Sequence, residues 1–197
     1  MNEDMAKWET ADGVEFLKKI GLKSAQTVLD FGCRVGHYTI PAAKVVGNKG
    51  IVYAVDKEQY ALNELEQKAK ANNLKNITII KTTGQTALDF ESESIDVVLF
   101  YDVLHYLEKH DREELYRQTR RVLKQDGLLS VYPKHTNDDY PTQMFKSLNV
   151  DDVKAEIEDS DFHFEEKLCG IISHDDALNL GCTLIFKKMD ITVVYDN

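Results

Sequence analysis

The residues best suited to chemistry lie in one short run, Val28-Leu29-Asp30-Phe31-Gly32-Cys33-Arg34-Val35-Gly36-His37. Its opening, Thr27-Val28-Leu29, is apolar and β-branched, as a strand covered on both faces should be. Gly32 and Gly36 then punctuate a turn, permitting backbone angles and close approaches that a Cβ would obstruct. From Tyr38 to Val46, Ile40, Ala43 and Val46 recur at helical spacing, with Pro41 early enough for a first turn. Such a strand-to-helix turn gathers backbone N–H groups and a helix N-terminus at the carboxyl edge of a sheet, where open α/β sheets bind ligands. The chemistry implied is recognition of a polar ligand by main-chain donors, with the Asp30 carboxylate in the same turn.

Other groupings promise less. Cys33, Cys169 and Cys182 are scattered without a C-x-x-C pair, so neither a disulfide framework nor a structural zinc site is expected. His135, Asp138 and Asp139 share one irregular polar loop with no fourth partner at ligand spacing; it reads as solvated loop, and no metal site is expected. A dinucleotide fingerprint, G-x-G-x-x-G, counted from Gly32 meets Arg34 and His37 at its second and third glycines. An arginine Cβ there would block the backbone from a pyrophosphate, which excludes the dehydrogenase reading.

The elements that position this turn follow from the pattern. Ala11 to Leu22 reads as an amphipathic helix ended by Gly21, placed either to cap a ligand cleft or to cover the sheet. Ile51 to Val55 is a second buried strand ending at Asp56, and Glu58 to Asn72 a helix with Ala61, Leu62, Leu65 and Ala69 on one face. Ile77 to Ile80 is a third strand, Thr82 to Ser94 a polar loop, and Ile95 to Phe100 a central strand. Asp111 to Lys124 is a helix with Asp111 as N-cap and Glu114 in the capping-box position; Asp126-Gly127 turns into a strand from Leu128 to Tyr132. This alternation implies a parallel sheet with helices on both faces. Beyond it, Val150 to Ser160 reads as helix, and Phe162 to Ile172 and Thr183 to Lys187 as two antiparallel strands joined by a loop through Asn179-Leu180-Gly181. Ile191 to Tyr195 is either an edge strand or a tail.

The chain has 197 residues, enough for one domain with a sizeable core, and 34 carboxylates against 24 Lys and Arg. That balance argues against nucleic acid as a partner. No apolar run is long enough to span a bilayer, and Met1 to Thr10 lacks a signal peptide's apolar core, so the expected location is cytoplasmic.

Four segments in order resemble a class I S-adenosylmethionine-dependent methyltransferase of the small-molecule, ubiquinone/menaquinone-biosynthesis type. They are Asp30, Gly32, Arg34 and Gly36, with Arg34 in place of the middle glycine; Asp56 closing the second strand; Ser94 to Leu99 followed by Asp102 to Leu107; and Val122 to Leu129. The resemblance implies a Rossmann-like α/β fold with a seven-stranded, mostly parallel sheet, the last strand antiparallel. It implies one methyltransferase domain over 1–197, with an N-terminal cap helix at 1–22, a cofactor-binding core at 27–132 and a substrate-side portion at 133–197. It implies S-adenosyl-L-methionine as cofactor, S-adenosyl-L-homocysteine as product and a small-molecule methyl acceptor as partner, leaving the oligomeric state open. By resemblance Asp30 lies near the methionine end of the cofactor, and Gly32, Cys33 and Gly36 form the loop around it. Asp56 accepts from the ribose hydroxyls, a charge-assisted pairing, and Lys57 lies beside the adenine.

Arg34 has two readings: a partner for the cofactor carboxylate, or a solvent-facing residue on an altered loop. In the loop after strand three, Gly84 falls where many relatives carry an adenine-binding aspartate, leaving Gln85 to supply an amide oxygen or a backbone N–H. Tyr101 reads as a cofactor contact or cleft-lining side chain. His105, after strand four, is the candidate general base because histidine titrates near neutrality, or else a structural residue packed against loops. The two departures keep a non-catalytic protein that binds the cofactor or its product as the alternative function.

Overall fold

The computed structural model describes residues 3–189. Strands β1 (Thr27–Phe31), β2 (Ile51–Asp56), β3 (Ile77–Lys81), β4 (Ile95–Tyr101), β5 (Leu123–Tyr132), β6 (Phe162–His174) and β7 (Ala177–Lys188) form a seven-stranded sheet in the order β3-β2-β1-β4-β5-β7-β6. β1 to β5 pair in parallel, and β7 runs antiparallel to both β5 and β6. The expected α/β architecture is therefore present. Because β1 lies between β2 and β4, the chain reverses its direction of travel across the sheet there, and a crevice opens at the carboxyl ends of those strands.

Helices cover both faces. They are α1 (Glu3–Lys7), α2 (Gly13–Lys19), α3 (Thr39–Val46), α4 (Gln59–Ala71), α5 (Lys109–Val122) and α6 (Val150–Glu158), with a π-helical turn at Trp8–Asp12 joining α1 to α2. The period-2 alternation of strand side chains divides the core. Val28, Val52, Val97 and Leu99 pack with Met5, Trp8, Leu17 and Ala43 on one side. Leu29, Val55, Val98 and Phe100 pack with Leu115, Val122, Val153 and Ile157 on the other.

Several boundaries differ from the sequence reading. The leading helical segment starts at Glu3 and buries Met5 and Trp8; it packs on the sheet face. α5 starts at Lys109 after Glu108, and no side chain caps it. Asp111 thus sits inside the first turn, where its charge still complements the helix dipole. β5 begins at Leu123 and includes Asp126-Gly127, absorbed by a register shift against Ile95 and Val97. The β6–β7 connection is the turn Asp175–Asp176, and Asn179-Leu180-Gly181 belongs to β7, paired with Ile172, Ile171 and Gly170. The segment Ile191 to Tyr195 lies outside the described residues. The expectation of no disulfide is corrected: Cys169 and Cys182, directly opposite in this hairpin, are bonded, while Cys33 is free and buried. The pair lies thirteen positions apart in the chain, and the strand register brings the two together.

The π turn carries Glu9, which is buried. Its carboxylate accepts from Lys68 Nζ on α4 at 2.8 Å and faces His37 Nδ1 at 2.8 Å. Burial alone would raise its pKa, but those partners together hold it below the usual carboxylate value. Removing one partner of a buried pair strands the other charge. Lys68→Met is therefore expected to cost about 3 kcal/mol in urea unfolding, and Glu9→Leu/Lys68→Met to recover most of it.

Candidate active site

A cavity of about 500 Å³ occupies the crevice, within the usual size of small-molecule sites. Phe31 and Gly32 reach it from the end of β1, Val55 and Asp56 from β2, and Asp102 and Val103 from the segment after β4. Arg34, Lys57, Gly84, Tyr106 and Asp175 complete its main polar and aromatic lining.

The turn after β1 is built around two constraints. Gly32 has φ +80°, and a Cβ on it would lie 2.6 Å from Val103 Cγ2; Gly36 has φ +87°, and its Cβ would lie 2.3 Å from Leu65 Cδ1. Both positions favour glycine on backbone grounds. Gly36 lies off the cavity and serves the packing of the turn on α4. Asp56 ties the turn to the sheet: its Oδ2 accepts from the Arg34 backbone N–H and its Oδ1 from the Glu58 N–H, each at 2.8 Å. Each oxygen keeps further acceptor capacity, and the carboxylate borders the cavity.

Asp30 lies behind this turn, buried, and accepts from Thr39 Oγ1 at 2.5 Å. Burial raises its pKa to about 7; the Thr39 bond opposes the rise and the neighbouring Asp56 charge adds to it. A carboxyl that holds its proton more tightly folded than unfolded contributes stability that is full below its unfolded pKa and lost as pH rises through the folded one. Asp30→Asn is accordingly expected to melt higher than the unaltered protein at pH 8 and to converge with it near pH 4, a comparison thermal scans across pH make directly.

Arg34 takes neither sequence reading in full. It holds a left-handed φ of +48°, is half-exposed, and its Nη1 donates to Asp175 Oδ1 at 2.7 Å across the cavity mouth. Half-exposed ion pairs contribute about 0–1 kcal/mol. Arg34→Gly, which also relieves the backbone, is expected to change S-adenosylhomocysteine affinity less than roughly threefold by calorimetry.

Five of the sequence-selected residues line the cavity: Gly32, Arg34, Asp56, Lys57 and Gly84. Asp30, Cys33, Gly36, Gln85, Tyr101 and His105 do not. Tyr101 is buried with its hydroxyl 2.7 Å from Ser130 Oγ and its ring edge-on to Tyr38, which makes it a core residue. His105 is buried beside Tyr106, His135 and Phe145. Burial, with His135 and His174 nearby, lowers its pKa to about 4, so the expected titration near neutrality is corrected. Asp102 and Asp175 are cavity residues that sequence reasoning did not select. Asp102 was legible only as a member of the segment after β4; its φ of +57°, unusual for a non-glycine residue, exists only in three dimensions.

Fold and cavity define a doubly wound α/β domain with a cavity at the switch point between β1 and β4. The chain matches the family described as a methyltransferase domain over residues 28–127, just over half its length, and it belongs to the class I S-adenosylmethionine-dependent methyltransferases. Demethylmenaquinone methyltransferase from Lactobacillus johnsonii is 30% identical over 117 residues, covering 59% of this chain and 47% of the relative. A probable cobalt-precorrin-6B C(15)-methyltransferase (decarboxylating) from Saccharolobus solfataricus is 40% identical over 81 residues, 41% of each chain. The chain thus spans less than half the length of these curated relatives. Among solved structures, a SAM-dependent methyltransferase from Aquifex aeolicus aligns with a TM-score of 0.72 over 92% of both chains at 22% identity. The PH0226 protein from Pyrococcus horikoshii OT3 aligns at 0.74 over 95% of this chain and 92% of its own, at 19% identity. Both likenesses are of fold. Among the described residues no helix is long and apolar enough to cross a membrane.

Proposed function

We propose that this protein transfers a methyl group from S-adenosylmethionine to a small-molecule acceptor, as a single domain acting in the cytoplasm. The carrying observation is the 500 Å³ cavity at the switch point, bordered by an acidic strand tip and a glycine turn. The residues present suit the cofactor. Asp56 has acceptor capacity left for a vicinal diol, and Gly32 and Arg34 offer the turn for an amino-acid moiety. Lys57 and Gly84, whose Cβ position would be 3.5 Å from Lys57 Cδ, flank space for a flat base. In this reading residues 27–132 hold the cofactor and 133–197 contribute to the acceptor side, a reading supported by Asp175 in the cavity lining.

When bound, the cofactor supplies a methyl group already activated on a sulfonium. The protein's own work is alignment and exclusion of water, which in such displacements is worth several kcal/mol. Tyr106 and Asp102 border the cavity next to the β4 tip. His105, buried and held neutral, fits a positioning role behind Tyr106 better than proton abstraction, since its lowered pKa makes it a weak base.

The test is titration calorimetry with S-adenosylmethionine and S-adenosylhomocysteine, followed by a radiolabelled methyl-transfer screen over small phenols, thiols, amines and acidic carbons. Binding of both nucleosides with transfer to one acceptor class is expected. Failure to bind either nucleoside removes the reading; binding without transfer to any acceptor favours the non-catalytic alternative.

A further inference from the structure

Asp102, His135 and His174 reach one point from three separate segments: the residue after β4, the loop after β5, and the last residue of β6. His174 Nε2 lies 3.2 Å from His135 Nε2 and 3.2 Å from Asp102 Oδ2, and His135 Nε2 lies 3.8 Å from Asp102 Oδ1. The three donor atoms all fall within 4.8 Å of one another. Ligands about 2.0–2.1 Å from a tetrahedral zinc ion stand roughly 3.3 Å apart, which the His135–His174 and His174–Asp102 separations match, while His135 faces the other carboxylate oxygen of Asp102. The sequence reading set His135 aside because it looked for partners in its own loop; its partners come from 33 residues before it and 39 after.

Two further observations point to an occupant. The Nδ1 of His135 lies 3.0 Å from the Tyr140 carbonyl oxygen, and a nitrogen facing a carbonyl carries the hydrogen. That bond leaves Nε2 as a bare lone pair aimed at the cluster, the arrangement that orients metal-binding histidines. With both Nε2 atoms facing each other, the cluster offers more acceptors than donors. Secondly, the Nδ1 of His105 and the Oδ1 of Asp102 are buried without a hydrogen-bond partner, 3.5 Å apart at the edge of the same cluster; the His105 side chain is 2% exposed. Buried polar atoms of this kind are ordinarily satisfied.

We propose that Asp102, His135 and His174 bind a divalent transition-metal ion of the zinc type beside the cofactor cavity. Two imidazoles and one carboxylate are a ligand set that zinc sites use when a further position is left for water or substrate. Asp102 belongs both to this set and to the cavity lining. Resting on the methyltransferase reading, the open position would take a hydroxyl or thiol of the acceptor, whose ionisation a bound cation favours.

Tag-free, chelator-treated protein of the 197-residue chain titrated with Zn²⁺ should bind one equivalent. His135→Ala and His174→Ala should each weaken that binding roughly 100-fold or more, whereas His110→Ala, on the exposed face of α5, should leave it unchanged. X-ray absorption of the zinc-loaded, unaltered protein should show a nitrogen and oxygen shell with two imidazoles, a readout that survives any folding failure of a variant. Substoichiometric binding, affinity unchanged in both histidine variants, or sulfur in the shell overturns the proposal. The cofactor reading is separate: zinc binding without nucleoside binding leaves the metal site standing and removes the methyltransferase reading, and nucleoside binding without zinc does the reverse.

Discussion

Asp56→Ala is expected to lower S-adenosylhomocysteine affinity by roughly 100-fold or more in titration calorimetry. The aspartate does two jobs at once. Facing the cavity it can receive hydroxyl donors, and behind that face it accepts the backbone N–H groups of Arg34 and Glu58. Its removal deprives a diol of a charge-assisted partner and leaves two main-chain donors unpaired, each worth about 1 kcal/mol of stability. Asp56→Asn separates the two losses. It keeps one acceptor oxygen but sets an amide NH₂ against the other main-chain N–H, so roughly tenfold weaker binding with about half the stability loss of the alanine variant is expected, and affinity equal to that of the unaltered protein would show that the carboxylate's charge is immaterial to the ligand.

Gly32→Ala should destabilise the protein by about 3 kcal/mol, with about 1 kcal/mol from the left-handed backbone and the rest from overpacking. The obstacle is Val103, whose Cγ2 and Cβ lie 2.6 and 2.9 Å from the added methyl position. A β-branched side chain has few rotamers with which to yield. Replacing it tests the cause: Val103→Ala removes the Cγ2 contact and keeps the Cβ contact at 2.9 Å, so the cost of Gly32→Ala measured in the Val103→Ala background should fall to about 2 kcal/mol. If the double variant is no better than the single one, the clash is not what excludes a side chain here. Gly36 differs in kind, since the nearest atom there is the far end of Leu65, though that leucine is buried and has little room to move.

The half of the molecule that binds by local pattern was legible in the chain. β1, β2 and β4 announce themselves as apolar runs, the glycine turn follows β1 directly, and Asp56 closes β2, so Gly32, Arg34 and Asp56 could be named from neighbours within a few positions, while Lys57 and Gly84 came from the family resemblance. What escaped detection depends on long-range pairing. Asp175 sits at the cavity because β6 and β7 run as a long hairpin, and Asn179 and Gly181, ordinary turn residues by composition, lie inside a strand because they pair with Ile172 and Gly170 across that hairpin. Tyr101 was misread for the opposite reason. It stands next to the cavity in sequence, but the alternation along β4 turns it to the face held by Phe16 and Tyr38. Asp30 matches the resemblance in position but not in exposure, being shielded by the turn it was expected to present.

The Cys169–Cys182 bond bears on this hairpin in a way beyond its own strands. A ladder of alternating side chains can slide by one residue only by turning every member to the other face, and the hairpin tip holds the three residues, His174, Asp175 and Asp176, that meet Asp102, Arg34 and His37. A covalent rivet between two facing rungs, five residues back from that tip, forbids the slide outright. The hairpin thereby becomes a ruler of set length: inserting or deleting a single residue between the rivet and the tip would displace all three contacts together.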